Sequence, residues 1–442
     1  MERCYRVVFE TYDKNCPSEV VSRKEILEGE VYKPTNCLDF SMGFDNQIKL
    51  VQKVQDNILA EKVRLVTFGS QSCPSCKKKL HKFGTHISCF HDVLTDHDVE
   101  IQRLKCNSCG YETPSTIRTL INDKLSGDLK KIQATLGATN SYRESEKIFE
   151  LFSCKARQIN NHARIKKTAE SVGESIDKLN TEEKEMIFSS NATELILNVD
   201  GGHIKTIEDK RSFEAIVSVV YKPESVEANK KGTRNHITSK NCAASIKNDN
   251  QAHIINNTIV AALKQGLSED THVTALSDGA QNCWNVAEAI EPLCGSITYI
   301  LDWFHLAMKF ENISLPKQLK EQLLNIKWYL WRGEVDNAMI RFNEVLSITK
   351  EEKHYDRIQR LSQYVSNNKG KIVDYSQREK DGLVFTSNLA ESTVESLINQ
   401  RCKGQQHMRW SREGLNPVLQ LRSTIYSNDW SDKWRTAVLN AA

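Results

Sequence analysis

The spacing of apolar and polar positions changes character twice along the chain. Residues 1 to about 45 show little periodicity. Over 46–62, Ile48, Val51, Val54, Ile58 and Leu59 recur near a 3.6-residue period, which predicts a helix. A block rich in Cys and His fills 73–111, and 124–178 reads as short helices broken near Gly127, Gly137 and Gly173. From 193 the pattern turns to β-branched and aromatic runs of strand length: LILNVDG, FEAIVSVVYK, HVTALSDG and SITYILDWF. Between them NNTIVAALKQGL is a helix ending at Gly266. Residues 313–370 return to amphipathic, Trp-rich helix, and the chain finishes in helices. There is no internal repeat and no low-complexity tract.

The pattern predicts an α/β multidomain protein. Its segments are a partly helical N-terminal region (1–66), a zinc-ribbon-like module (67–122) and a helical segment with a possible helix-turn-helix (123–190). A mixed α/β core (191–312), a helical block (313–380) and C-terminal helices (381–442) follow. A length of 442 residues suits several cores rather than one. No apolar run approaches the roughly 20 residues of a membrane span, so no membrane partner is expected. The N-terminus lacks the apolar stretch of a secretory signal, so a cytoplasmic, reducing setting is the expectation. There the 13 cysteines are better read as metal ligands than as disulfides.

Cys73-Pro-Ser-Cys76 and Cys106-Asn-Ser-Cys109 form two C-x₂-C turns. Each turn presents two thiolates, and two such turns make the closed tetrahedral S₄ site of structural zinc. The alternative is a reduced, metal-free pair of turns. The alternation of VLTDHDVEIQRLKC predicts a ribbon hairpin between them, and Gly110 suits the second turn. Of the nearby His81, His86, His91 and His97, most are expected at the surface or bonded to backbone. Cys89 is expected to be a small buried hydrophobe.

Three acids stand in distinctive phrases: Asp200 in LILNVDGGHIK, Asp278 in VTALSDGAQNCW and Glu391 in SNLAESTVES. A strand ending in Asp-Gly-Gly predicts a carboxylate at a sheet edge where the backbone turns sharply. Two such acids side by side repel unless cations bind them, which is the requirement of a two-metal phosphoryl-transfer site. The alternative is that each Asp is a turn former or helix cap. Asp302 and His305, three apart at a helix start, share a face; a supporting role is favoured over direct metal ligation. Glu391 and Glu395 share a helical face, and only one need act.

A formal charge of +3 leaves any nucleic-acid binding to local clusters. One cluster is Arg157, Arg164, Lys166 and Lys167, on the second part of the possible helix-turn-helix or on an ordinary solvated helix. Another is Arg401, Lys403, Arg409 and Arg412 with Trp410, suited to phosphate contact and base stacking or to a plain charged helix.

Taken together these phrases resemble bacterial insertion-sequence transposases with a DDE catalytic core, most of all the ISKra group and more distantly the Mutator type. The matching residues are Asp200-Gly201; Asp278-Gly279-Ala280 with Trp284; and Asp302, Phe304 and His305. Further on they are Glu391-Ser392, Arg401, Lys403-Gly404, Met408, Trp410-Ser411 and Leu421-Arg422. This register selects Glu391 over Glu395. Two departures stand out: Thr386 where a Gly is common, and a long GQQHM link. The resemblance implies an RNase H-like core with a helical insertion. It implies Asp200, Asp278 and Glu391 holding two Mg²⁺ (or Mn²⁺) ions, and structural Zn²⁺ on the four cysteines. The implied activity is cleavage of an element's terminal inverted repeats and joining to target DNA by a nucleoid-associated homo-oligomer. The alternatives are a non-catalytic DNA-binding protein, or a nuclease of the same core that hydrolyses without joining.

Overall fold

The computed structural model describes residues 3–68, 72–152, 157–183, 191–208, 211–228, 235–403 and 408–441. Gly404 and the GQQH stretch fall outside the described residues. The chain divides into two compact units, 1–168 and 169–442. It is mixed α/β, as the pattern predicts.

The first unit opens on an antiparallel hairpin of β1 (Arg3–Asp13) and β2 (Cys16–Val31), where the sequence offers no periodicity. The reason is that most of both faces is exposed, so no alternation is imposed. Cross-strand pairs such as Arg6 with Glu25 at 2.9 Å and Thr11 with Ser22 at 2.8 Å lie along it instead. The helix expected at 46–62 is α1 (Phe44–Phe68). The ribbon hairpin is β3 (His81–His91) paired with β4 (Asp96–Lys105). Val99 and Ile101 on β4 pack with Val63 of α1 and with Ile117.

Four helices follow: α2 (Ile117–Ile121), α3 (Gly127–Thr139), α4 (Tyr142–Leu151) and α5 (His162–Glu182), the last continuing into the second unit. Thr116, Ser126 and Ser141 cap the first three, Ser141 and Glu144 forming a capping box. Only Gly127 marks a helix end. Gly137 and Gly173 lie inside α3 and α5, correcting the expected breaks. At Gly173 a Cβ would stand 2.2 Å from the Pro417 carbonyl oxygen, so the glycine permits close packing rather than a turn.

The second unit is built on a five-stranded sheet in the order β11-β10-β5-β6-β9. Its strands are β5 (Glu194–Lys205), β6 (Ser212–Tyr221), β9 (Asn241–Ser245), β10 (His272–Ser277) and β11 (Ser296–Leu301). β7 (Val226–Ala228) and β8 (Asn235–Ile237) form a small separate hairpin. β11, β10 and β5 are mutually parallel, and β6 runs against both of its neighbours. The apolar strand runs are buried almost without alternation, which requires cover on both faces. α6 (Ala252–Lys264) packs on β6 and β9, and α7 (Gln281–Glu288) on β5 and β10.

After β11 come α8 (Trp303–Asn312), α9 (Lys317–Trp331), α10 (Val335–Ile348), α11 (Glu352–Asn367) and α12 (Tyr375–Lys380). Trp303, Trp331, Tyr375 and Phe385 interlock, with neighbouring ring centroids 4.7–6.3 Å apart. Two tyrosines bond this helical segment to the strand ends: Tyr364 donates to the Asp278 carbonyl at 2.6 Å and Tyr375 to the Leu301 carbonyl at 2.7 Å. The chain then forms α13 (Asn388–Val394), a π-helical turn (Glu395–Asn399) and α14 (Gln400–Cys402). It ends in α15 (Arg412–Tyr426), which packs on β9, and α16 (Trp430–Asn440).

Candidate functional site

The parallel register sets Val199, Ser277 and Leu301 abreast on β5, β10 and β11. Asp200, Asp278 and Asp302 follow them directly in the chain, Asp278 and Asp302 just past the ends of β10 and β11. β5 does not end there. It runs on through Gly201 and Gly202 to Lys205, paired with β6, and neither glycine has positive φ. The sharp turn expected after Asp200 is therefore absent. The glycines serve clearance instead: a Cβ at Gly201 would stand 2.6 Å from Glu214 Oε1, and one at Gly202 3.3 Å from Ile398 and from Lys403 Nζ. Gly279 does turn, at φ +93°, and a Cβ there would meet Leu301 and Tyr364 at 2.9 Å. Asp278 Oδ1 accepts from the Ala280 N–H at 2.9 Å, closing the turn into α7.

Asp302 is fully buried and caps α8. Its Oδ1 accepts from the N–H groups of Phe304 at 3.1 Å and Ser387 at 2.9 Å, and its Oδ2 from the Ser387 hydroxyl at 2.5 Å. The bond to Ser387 ties the strand end to the residue that opens α13, and so to Glu391 one turn later. Behind Glu391, the buried Arg422 guanidinium donates to the carbonyls of Leu397, at 2.8 Å, and Ser396. Both carbonyls belong to the π turn, where the helical bonding pattern is displaced and acceptors need other donors.

These supports bring Asp200, His305 and Glu391 together, with one ligand atom from each all within 4.8 Å. His305 Nε2 lies 3.6 Å from Asp302 Oδ2 and 3.9 Å from Glu391 Oε2. Asp278 is not in that group, but its charge acts on Asp200. Burial pushes the Asp200 carboxyl up; Asp278 and Asp302 add to the rise while His305 opposes it. Burial also raises Glu391, reinforced by Asp200 and opposed by His305. Carboxyls held above their usual range by burial and mutual repulsion gain from a bound cation. Glu395 is exposed and bonds to Asn399.

The four cysteines meet as a second group, ligand atoms again within 4.8 Å. Cys73 and Cys109 Sγ are 3.4 Å apart, as are Cys76 and Cys106. Sulfurs about 2.3 Å from one tetrahedral zinc are about 3.8 Å apart, so the set fits the ion with small adjustment. The two turns repeat each other: Lys77 N–H bonds to Cys73 O, and Gly110 N–H to Cys106 O. Lys77 and Gly110 both have positive φ, a likeness hidden by the lysine. N–H donation from Cys109 and Ser108 holds the Cys106 thiol down to about 6, favouring thiolate. His81 and His86 are exposed. His97, by contrast, is buried between Asp56 at 2.7 Å and Thr95 at 2.9 Å, and His91 bonds Asp96 at 2.8 Å. Cys89 is half-buried, and burial pushes its thiol up.

The basic candidates divide. Arg164, Lys166 and Lys167 are exposed on α5, and Lys403 and Arg409 are exposed near β5. Arg157 is not presented to a ligand: its buried guanidinium donates to Asp96 and to the carbonyls of Asp92, Val93 and Thr95, the turn of the β3–β4 hairpin. Arg401 and Trp410 are also buried, the guanidinium 4.8 Å from the indole centroid. The Trp410 backbone N–H bonds to the Lys205 carbonyl at 3.0 Å, and the burial of the indole makes it part of the core instead of a stacking face. Arg412 is half-buried, bonding to the Ile246 carbonyl and Glu208. Tyr364 and Tyr375 carried no sequence signal, because their partners are distant in the chain; Ser387 stood in the quoted SNLAESTVES phrase without an assigned task. Arg422 stood in a matched phrase without an assigned task.

The chain belongs to the Uncharacterised protein family UPF0236, whose profile matches residues 124–435. A UPF0236 protein of Caldanaerobacter subterraneus subsp. tengcongensis is 30% identical over 159 residues, which is 35% of this chain and 30% of the relative. The aligned part thus spans under a third of that relative's length. Among the described residues no helix is long and apolar enough to cross a membrane.

Proposed function

We propose that the protein is a DDE transposase: it binds the ends of a DNA element, cuts phosphodiester bonds there and transfers the strands. The observation that carries this reading is the convergence of Asp200 and Glu391, far apart in sequence, beside the strand end that bears Asp278. The sheet order supports an RNase H-like core, in which the strand second in chain order is the reversed one. The bacterial relative's name joins eleven designations from one organism, as a sequence carried in many copies would.

In this reading Asp200, Asp278 and Glu391 hold Mg²⁺ or Mn²⁺. When bound, the ions activate the attacking oxygen and stabilise the leaving one. Asp302 and Ser387 fix the entry to the Glu391 helix, and Arg422 fixes its exit. The exposed Lys403 and Arg409 would hold phosphates. The zinc module and the exposed bases of α5 would bind the element's ends.

The test is cleavage and joining of a labelled fragment carrying the gene's own flanking ends, with Mg²⁺ or EDTA. Metal-dependent joined products that vanish in Glu391→Gln are expected. Hydrolysis without joining would make the protein a nuclease of this core, and tight end binding without cutting would make it a DNA-binding protein.

A further inference from the structure

We propose that His305 binds the metal directly through Nε2, alongside Asp200 and Glu391, and biases the centre toward Mn²⁺ over Mg²⁺. The proposal rests on the reading of these carboxylates as a metal centre.

Three observations carry it. The first is spacing. Nε2 is 3.6 Å from Asp302 and 3.9 Å from Glu391, beyond hydrogen-bond distance in both cases. The imidazole nitrogen is therefore not consumed by either acid. Two donors about 2.1 Å from one octahedral ion stand about 3 Å apart when adjacent and about 4.2 Å apart when opposite. A group with all three ligand atoms within 4.8 Å can close on an ion by small side-chain movements.

The second is rigidity. His305 lies in the first turn of α8, whose cap Asp302 is fully buried and bonded to Phe304 and Ser387. The Phe304 ring meets the imidazole edge-on, with centroids 5.4 Å apart. A ligand held on a fixed helix start loses little freedom when an ion binds.

The third is chemistry. Mg²⁺ takes oxygen donors and keeps its waters, whereas first-row transition ions accept imidazole more readily. A carboxylate–imidazole–carboxylate set therefore favours Mn²⁺ more than the three carboxylates alone would.

The rival is that His305 is an imidazolium counter-charge for Asp200, Asp302 and Glu391. The two readings move metal affinity in opposite directions. Removing a ligand weakens binding, while removing a positive charge strengthens binding of any cation.

Mn²⁺ titration of the zinc-loaded, full-length protein, followed by electron paramagnetic resonance with Mg²⁺ as competitor, separates them. Wild type should show spin-echo modulation from a coordinated imidazole nitrogen. His305→Ala should lose that modulation, bind Mn²⁺ at least about tenfold more weakly and show a lower Mn²⁺-to-Mg²⁺ affinity ratio. Unchanged or tighter binding in His305→Ala, or a wild-type signal without nitrogen modulation, overturns the proposal. Asp200→Asn tests the underlying reading separately: Mn²⁺ binding unaffected there removes the carboxylate centre whatever His305 does. If wild type binds no Mn²⁺, both fall. Unchanged tryptophan fluorescence shows that each variant is folded.

Discussion

Replacing Asp302 by alanine should destabilise the second unit by about 3–4 kcal/mol, while Asp200, Asp278 and Glu391 themselves stay unchanged in sequence. The carboxylate accepts three hydrogen bonds at 2.5–3.1 Å in a fully buried position. Bonds to a charged acceptor contribute about 1.5–3 kcal/mol each, and the lost helix cap about 1 kcal/mol. The variant also escapes the cost of burying a charge, so the net falls well short of the sum. Asp302→Asn keeps the Oδ1 acceptor for both N–H groups, and the Ser387 hydroxyl can turn to accept from the amide, so about 1–2 kcal/mol is expected. Urea unfolding followed by tryptophan fluorescence is the assay. All seven tryptophans lie between residues 284 and 434, so the signal reports the second unit alone. Ser387→Ala should cost about 1 kcal/mol. The double variant should fall short of additivity by at least about 1 kcal/mol, since the two residues share their bonds. If Asp302→Ala costs under about 1 kcal/mol and the cycle is additive, the clamp between β11 and the Glu391 helix is not an energetic link.

Three further outcomes are expected. One zinc per chain should be released by Cys106→Ser, measured with a chromogenic chelator, with loss of protection from hydrogen exchange in β3 and β4. Arg157→Met should cost the first unit about 2–4 kcal/mol by stripping the hairpin turn of its donors; Lys167→Ala should cost within about 0.5 kcal/mol and, under the proposed function, reduce the salt dependence of the proposed DNA binding by about one unit of slope. Asp177 lies between His253 at 2.5 Å and Lys247 at 2.7 Å; burial alone would raise its carboxyl, but those hydrogen bonds outweigh it and the net shift is downward. A carboxyl lowered in the folded state stabilises above its unfolded value and loses that contribution as pH falls through the folded one. The stability gap between wild type and Asp177→Asn should thus be full at neutral pH and close as acid carries the solution below 3.8, read by urea melts across pH.

Much of the sheet could be read from the chain because burial left continuous apolar runs, three of which lead directly to an acid: Asp200, Asp278 and Asp302. The cysteine turns were legible for a similar reason: each pair lies within four residues. What stayed hidden depends on distant partners. The Asp-Gly-Gly phrase looks like a turn, yet its glycines answer to Glu214, Ile398 and Lys403. Arg157 and Arg401 look like surface charge, and nothing local reveals that a hairpin turn or an indole encloses them. The N-terminal hairpin leaves no trace because water on both faces asks for no pattern.

The bonds from Tyr364, Tyr375 and Ser387 to the strand ends also set a timetable. Asp200 and Asp278 can be in place once the central strands have formed, but Glu391 waits for all of α8–α12 to be made and folded back. α15, which carries the Arg422 brace, must emerge later still. A ribosome stalled before that point would hold a chain in which Asp200 and Glu391 are not yet braced together.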